Sequence, residues 1–141
     1  MSIAIISGQI KFGPWVVPHR AQNTVSNNYA KTHGIIVDTV IPEPIFSNLF
    51  ENTLWLRKHW DLKTIILYSI LQLPNRDKDI RRFTDKMADI EIHFAMEGLS
   101  GKGRKFLEKT FKEASIFLSV EVIEANSVHS YEDLHKQLLL K

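Results

Sequence analysis

The run Leu62-Lys63-Thr64-Ile65-Ile66-Leu67-Tyr68-Ser69-Ile70 is the most apolar segment of the chain, and Pro74-Asn75 closes it with a turn. It is short, and its centre shows no alternation of polar and apolar residues. That pattern fits a strand buried on both faces, as in a parallel sheet with helices on each side.

Working outward from this strand, the pattern alternates. Ile3 to Ser7 is a second apolar run, ending at Gly8, and Gln9 to Trp15 reads as a loop. Val17 to His33 carries Ala21, Val25 and Tyr29 at four-residue spacing and is followed by Gly34, so it reads as a helix with a glycine at its C-terminal end. Ile35 to Ile41 is rich in β-branched residues and reads as a strand ended by Pro42 and Pro44. Phe46, Leu49, Phe50 and Leu54 share one face of a second helix. On the other side, Asp77 and Asp79 precede Ile80, Phe83, Met87 and Ile90, a helix with acidic groups in its first turn, where they suit the dipole. Ile92 to Met96 is a fourth strand, 98–103 a loop, and Arg104 to Ser115 a helix. Leu118, Val120 and Val122 alternate with Ser119 and Glu121, which predicts a half-exposed edge strand. A last helix is expected from Ser130 through Leu138.

This β–α alternation predicts a single domain over residues 1–141: a three-layer α/β/α fold with a mainly parallel five-stranded sheet, in the flavodoxin-like order 2-1-3-4-5. The composition agrees, with 44% hydrophobic residues, no cysteine and a formal net charge of +2. Without cysteine there is neither a disulfide nor a thiolate metal site, and a reducing, cytoplasmic setting is expected. No apolar run approaches the roughly 20 residues that span a bilayer. The start reads as a strand and not a signal peptide. So balanced a charge argues for neither nucleic acid nor a membrane surface as partner. Trp15, Trp55 and Trp60 read as core or interface material, and Phe46, Trp55 and Trp60 as a contact in a homo-oligomer.

Ligands of open α/β sheets bind beyond the carboxyl ends of the strands. The residues expected there are Ser7 and Gln9 after the first strand, Glu43 after the second, Tyr68, Ser69 and Gln72 after the third, and Glu97 after the fourth, with His93 inside that strand. His19, Arg20, Gln22 and Asn23 open the first helix, where backbone N–H groups suit an anion. Carboxylates, an imidazole, hydroxyls and amides on one edge are what acid–base chemistry on a polar substrate requires. Each also has a structural reading: Glu97 as a cap on the next loop, His93 as a buried hydrogen-bonded histidine. The segment 98–104, with three glycines and two cations, has the composition of a phosphate cradle but matches neither G-x-G-x-x-G nor G-x-x-x-x-G-K-[ST]. There is no H-E-x-x-H, and no metal or redox cofactor is expected.

Val17-Pro18-His19-Arg20-Ala21-Gln22-Asn23, Glu43, Tyr68-Ser69-Ile70-Leu71-Gln72-Leu73-Pro74 and His93-Phe94-Ala95-Met96-Glu97 together resemble the bacterial "sporadic carbohydrate cluster" proteins over roughly residues 3 to 100. The resemblance implies a small enzyme of surface-polysaccharide or unusual-sugar synthesis that takes a sugar or nucleotide-sugar. Glu97, His93 and Glu43 would be its catalytic groups and Ser7, Gln9, His19, Arg20, Gln22, Asn23, Tyr68, Ser69 and Gln72 its substrate contacts. Alternatives are a glycosyl-transfer enzyme with a carboxylate nucleophile and a non-catalytic partner of a larger sugar enzyme. The layout is also distantly similar to the catalytic domain of serine recombinases, which has a hydroxyl after the first strand and an amide-bearing first helix. The arginine set that such phosphoryl transfer needs is missing, since Arg81 and Arg82 lie on the third helix, away from the expected edge, so this likeness implies a shared fold and not a shared function.

Overall fold

The computed structural model describes residues 3–8, 10–12, 15–43 and 49–126. Strand β1 (Ile3–Ser7) leads into a small antiparallel hairpin, β2 (Lys11–Phe12) and β3 (Trp15–Val16), and then helix α1 (His19–Thr32). Next come β4 (Thr39–Pro42), α2 (Glu51–His59), β5 (Thr64–Leu67) and a single 3-10 turn at Ile70–Gln72. After it follow α3 (Asp77–Met87), β6 (Glu91–Phe94), β7 (Leu99–Gly101) and α4 (Arg104–Asn126).

The main sheet has the order β4-β1-β5-β6-β7, which is 2-1-3-4-5 when only its own strands are numbered. Pairing is parallel up to β6, and β7 alone runs antiparallel, returning along β6. Ile5 lies in register with Val40 on one side and Ile66 on the other, and Ile66 with His93. The chain leaves β1 to pair on one flank and returns to pair on the other, so the switch in strand order falls beside the carboxyl end of β1.

Alternation along the strands divides the core. Ala4, Ile6, Ile65, Leu67, Ile92 and Phe94 pack on one face with Phe83 and Met87 of α3 and Leu107 and Phe111 of α4. Ile5 and Ile66 face the other way, against Tyr29 and Ala30 of α1. One helix therefore covers one face, and α2, α3 and α4 cover the other.

Two expected strands are corrected. Residues 35–38 run alongside the sheet but pair regularly only from Thr39, although the Asp38 N–H donates to the Ile3 carbonyl at 2.9 Å. Ile35 and Val37 pack on the α1 side instead. The expected edge strand Leu118 to Val122 belongs to α4. A five-residue alternation cannot outweigh a helix already nucleated at Arg104, because each further residue adds a hydrogen bond without a new nucleation cost. The fifth place in the sheet goes to Leu99–Gly101, inside the expected loop. Gly98 (φ +64°) turns the chain there by adopting a conformation that L side chains rarely hold. Gly101 then lies so close to α4 that an added Cβ would sit 2.5 Å from the Phe106 ring. Phe46 and the helix expected from Ser130 fall outside the described residues.

Candidate functional site at the carboxyl edge of β1

Part of the expected set meets at one edge, where Glu43, Gln72 and Gln22 surround Gly8. A Cβ at Gly8 would meet the Glu43 Cβ at 3.5 Å on the β4 side and the Gln72 amide nitrogen at 3.7 Å on the β5 side. From α1, the Gln22 amide nitrogen donates to the Gly8 carbonyl at 2.6 Å and to the Val17 carbonyl at 3.0 Å. Its oxygen accepts from the Gly8 N–H at 3.0 Å and from the Gln72 amide at 3.2 Å. The two N–H groups and both lone pairs of Gln22 are thus used.

The chain of bonds continues outward. The Gln72 oxygen accepts from the Ser69 N–H at 3.1 Å, and the Ser69 hydroxyl accepts from the Leu71 N–H at 3.2 Å, a capping box on the 3-10 turn. The Ser69 hydroxyl also donates to Glu97 Oε2 at 2.9 Å, while Glu97 Oε1 accepts from the Ile70 N–H at 2.7 Å. Glu97 thus caps the turn after β5 and not, as expected, the loop that follows its own strand.

Glu43 plays the same part for α2. It is buried, and its Oε1 accepts from both the backbone N–H and the hydroxyl of Thr53 at 2.6 Å, while Oε2 accepts from the Asn52 N–H at 3.2 Å. The N-cap residue of α2 is Phe50, held in the left-handed region (φ 55°) and without a side-chain cap of its own. A carboxylate from the preceding strand satisfies the helix's free donors and meets the positive end of its dipole.

His93 sits elsewhere. It is two strands from β1, about 10 Å across the sheet at the usual strand spacing, on the face that α1 covers. The Tyr29 hydroxyl lies 2.8 Å from its Nδ1, and Glu91 Oε1 lies 3.5 Å from its Nε2. Burial pushes the Tyr29 phenol up, against a hydrogen bond from Ser100 that lowers it. Burial likewise holds the His93 imidazole below its ordinary value, with the Glu91 carboxylate pulling the other way. His93 and Glu97 have no partner in common among these bonds. Tyr68 is buried at the end of β5, and its carbonyl accepts from the Met96 N–H at 2.9 Å. Gln9 falls outside the described residues.

With those groups engaged, three atoms stand out. Ser7 Oγ lies 3.4 Å from His19 Nδ1. Among the described residues, the Nε2 of His19, the Oδ1 of Asn23 and the Oγ of Ser26 are buried without a hydrogen-bond partner. Residues 19, 23 and 26 are spaced four and three apart, so they form one stripe of α1 beginning at Ser7. His19 is the first helical residue, behind Pro18, which supplies no side-chain cap. Arg20 is exposed beside it. Ser26 escaped sequence reasoning; its spacing from His19 and Asn23 was the available signal. Among the described residues, no cluster of three or more His, Asp or Glu is placed to hold a metal ion.

No family model matches the chain, and no curated protein does. Among solved structures, it is similar to the crystal structure of the N-terminal catalytic domain of TP901-1 integrase, with a TM-score of 0.57 and 15% identity over 94% of this chain and 99% of that one. At 15% identity the likeness is one of fold. This corrects the carbohydrate reading, because the matching structure is an integrase domain and no family match ties the chain to surface-polysaccharide or unusual-sugar synthesis. The glycosyl-transfer alternative and the sugar or nucleotide-sugar partner go with it, and so does the exclusion of nucleic acid. No described helix is long and apolar enough to cross a membrane.

Proposed function

We propose that this chain acts on nucleic-acid phosphodiesters, with Ser7 as nucleophile and His19 as the base beside it. The observation that carries the reading is the 3.4 Å approach of Ser7 Oγ to His19 Nδ1 at the switch in strand order, with His19 Nε2 buried and unpartnered among the described residues. A hydroxyl within reach of an imidazole is the usual arrangement of an activated nucleophile, often looser before substrate binds. The likeness to an integrase catalytic domain supports the substrate class. A cytoplasmic setting, with access to DNA, belongs to the same reading.

In the step envisaged, Ser7 Oγ forms a bond to phosphorus while the bond from phosphorus to one nucleoside oxygen breaks. The hydroxyl proton passes to His19 Nδ1, and the departing oxygen takes a proton from solvent. The imidazolium so formed turns its Nε2–H toward a non-bridging phosphate oxygen. The free N–H groups at the start of α1 and the Arg20 side chain add positive potential there. Arg81 and Arg82 contribute nothing to this edge, since α3 packs on the opposite face of the sheet.

Thymidine 5′-p-nitrophenyl phosphate, an activated phosphodiester that requires no particular DNA sequence, provides the test. A burst of nitrophenolate should accompany a nucleotidyl adduct on the Ser7 peptide by mass spectrometry, and Ser7→Ala should lose both. Equal release from wild type and Ser7→Ala, with no adduct, would remove the proposal.

A further inference from the structure

On the other face of the molecule, α2 and α3 border an open groove of about 580 Å³. Leu54, Trp55 and Lys58 of α2 line it, three positions that share a helical stripe, and Arg82 and Lys86, one turn apart, line it from α3. Trp55 is 59% exposed, with its ring 4.3 Å from that of His59 and tilted against it. So open an indole is not core material. The charges in the groove are lopsided. Arg57 also lines it but is bonded to Asp89 at 2.5 Å, whereas among the described residues Lys58, Arg82 and Lys86 have no carboxylate within salt-bridge reach and Glu51 is the one acid in the lining.

We propose that this groove holds single-stranded nucleic acid, with one base stacked on Trp55 and the adjoining phosphates on Lys58, Arg82 and Lys86. An aromatic platform flanked by unpaired cations is the combination that binds single strands without reading sequence. The choice of a polymer over a free nucleotide rests on the nucleic-acid reading of the chain. The groove itself is independent of Ser7, which lies on the α1 side of the sheet.

Fluorescence anisotropy of a labelled oligothymidylate of about 12 nucleotides, within the span of one single-strand module, reads the groove directly. Trp55→Leu should weaken binding by about fivefold to a hundredfold, the range for one stacked base, and Trp55→Phe should recover most of it. Arg82→Glu with Lys86→Glu should weaken it at least as much and flatten its salt dependence, as expected when phosphate contacts are lost. All three substituted positions are on exposed helix surface, and melting curves would verify that each variant folds. Losses confined to these variants support the groove whether or not Ser7 forms an adduct, so failure of the chemistry and failure of the groove give different results. Unchanged binding in Trp55→Leu and in the charge reversal would overturn the proposal, as would displacement of the oligonucleotide by thymidine monophosphate at equal concentration.

Discussion

Gln22 holds Gly8 by both of its backbone groups, accepting from its N–H at 3.0 Å and donating to its carbonyl at 2.6 Å. A side-chain amide here does what a neighbouring strand does elsewhere in the sheet, at the point where β1 has ended and the chain needs its polar groups satisfied. Gln22→Leu keeps the bulk but strands the Gly8 groups and the Gln72 amide. The expected cost is about 2–4 kcal/mol, from more than one buried group left unpaired, read from the urea midpoint. Gln22→Glu should also destabilise, because a carboxylate cannot donate to the carbonyls of Gly8 and Val17.

Glu43 should prove a stability residue. Glu43→Ala removes the acceptor for Thr53 and Asn52 and leaves the start of α2 uncapped, for an expected loss of about 1–2 kcal/mol. Far-UV circular dichroism during denaturant unfolding would measure it. A variant as stable as wild type would show that α2 does not depend on this carboxylate.

The titration of His93 has a definite sign. Its folded value is lowered by burial, so the neutral ring is favoured in the folded protein, and the unfolded chain takes up a proton first as pH falls. The resulting stability is present above the ordinary histidine value of about 6.5 and is lost as pH falls below it toward the folded value. Urea midpoints from pH 8 down to pH 5 should decline, and His93→Gln, which keeps a hydrogen-bonding group near Tyr29, should decline less. Parallel curves for the two proteins would assign the pH dependence to other groups.

Gly101→Ala places a methyl 2.5 Å from the Phe106 ring. The ring or the hairpin must shift, at an expected cost of about 1–3 kcal/mol for overpacking. Phe106→Leu in the same background should restore part of the loss, and a melting-temperature comparison of the single and double variants would show it.

Much of this architecture could be read from residue patterns, because burial writes itself into them. Ile3 to Ser7 and the core of 62–70 are apolar for the reason they are central: helices cover both of their faces. The strand order followed from parallel pairing and length. Leu118 to Val122 misled because five alternating residues fit an edge strand as well as one side of a long helix. Leu99–Gly101 was hidden because a three-residue strand with a serine and a glycine carries almost no apolar signal. At the edge, sequence could bring Glu43, Gln72, Ser69 and Glu97 together but not say that they bond chiefly to backbone and to one another. The start of α2 has Phe50 at its N-cap and no local capping residue, so the role of Glu43 is fixed by a tertiary contact across nine residues or more. The Ser7–His19 pair depends on the angle at which α1 leaves β1, which no spacing encodes.

The unequal covering of the sheet bears on how Ser7 could ever be reached. Its residue is only 1% exposed, and α1 lies on its side of the sheet with a small apolar cluster and the Gln22 bonds to hold it, whereas three helices share the larger core behind. Local opening should therefore begin at the less heavily anchored layer. Amide protons of α1 should exchange with deuterium sooner than those of β5, and the excursion that releases them would bare the serine while the opposite layer stays folded.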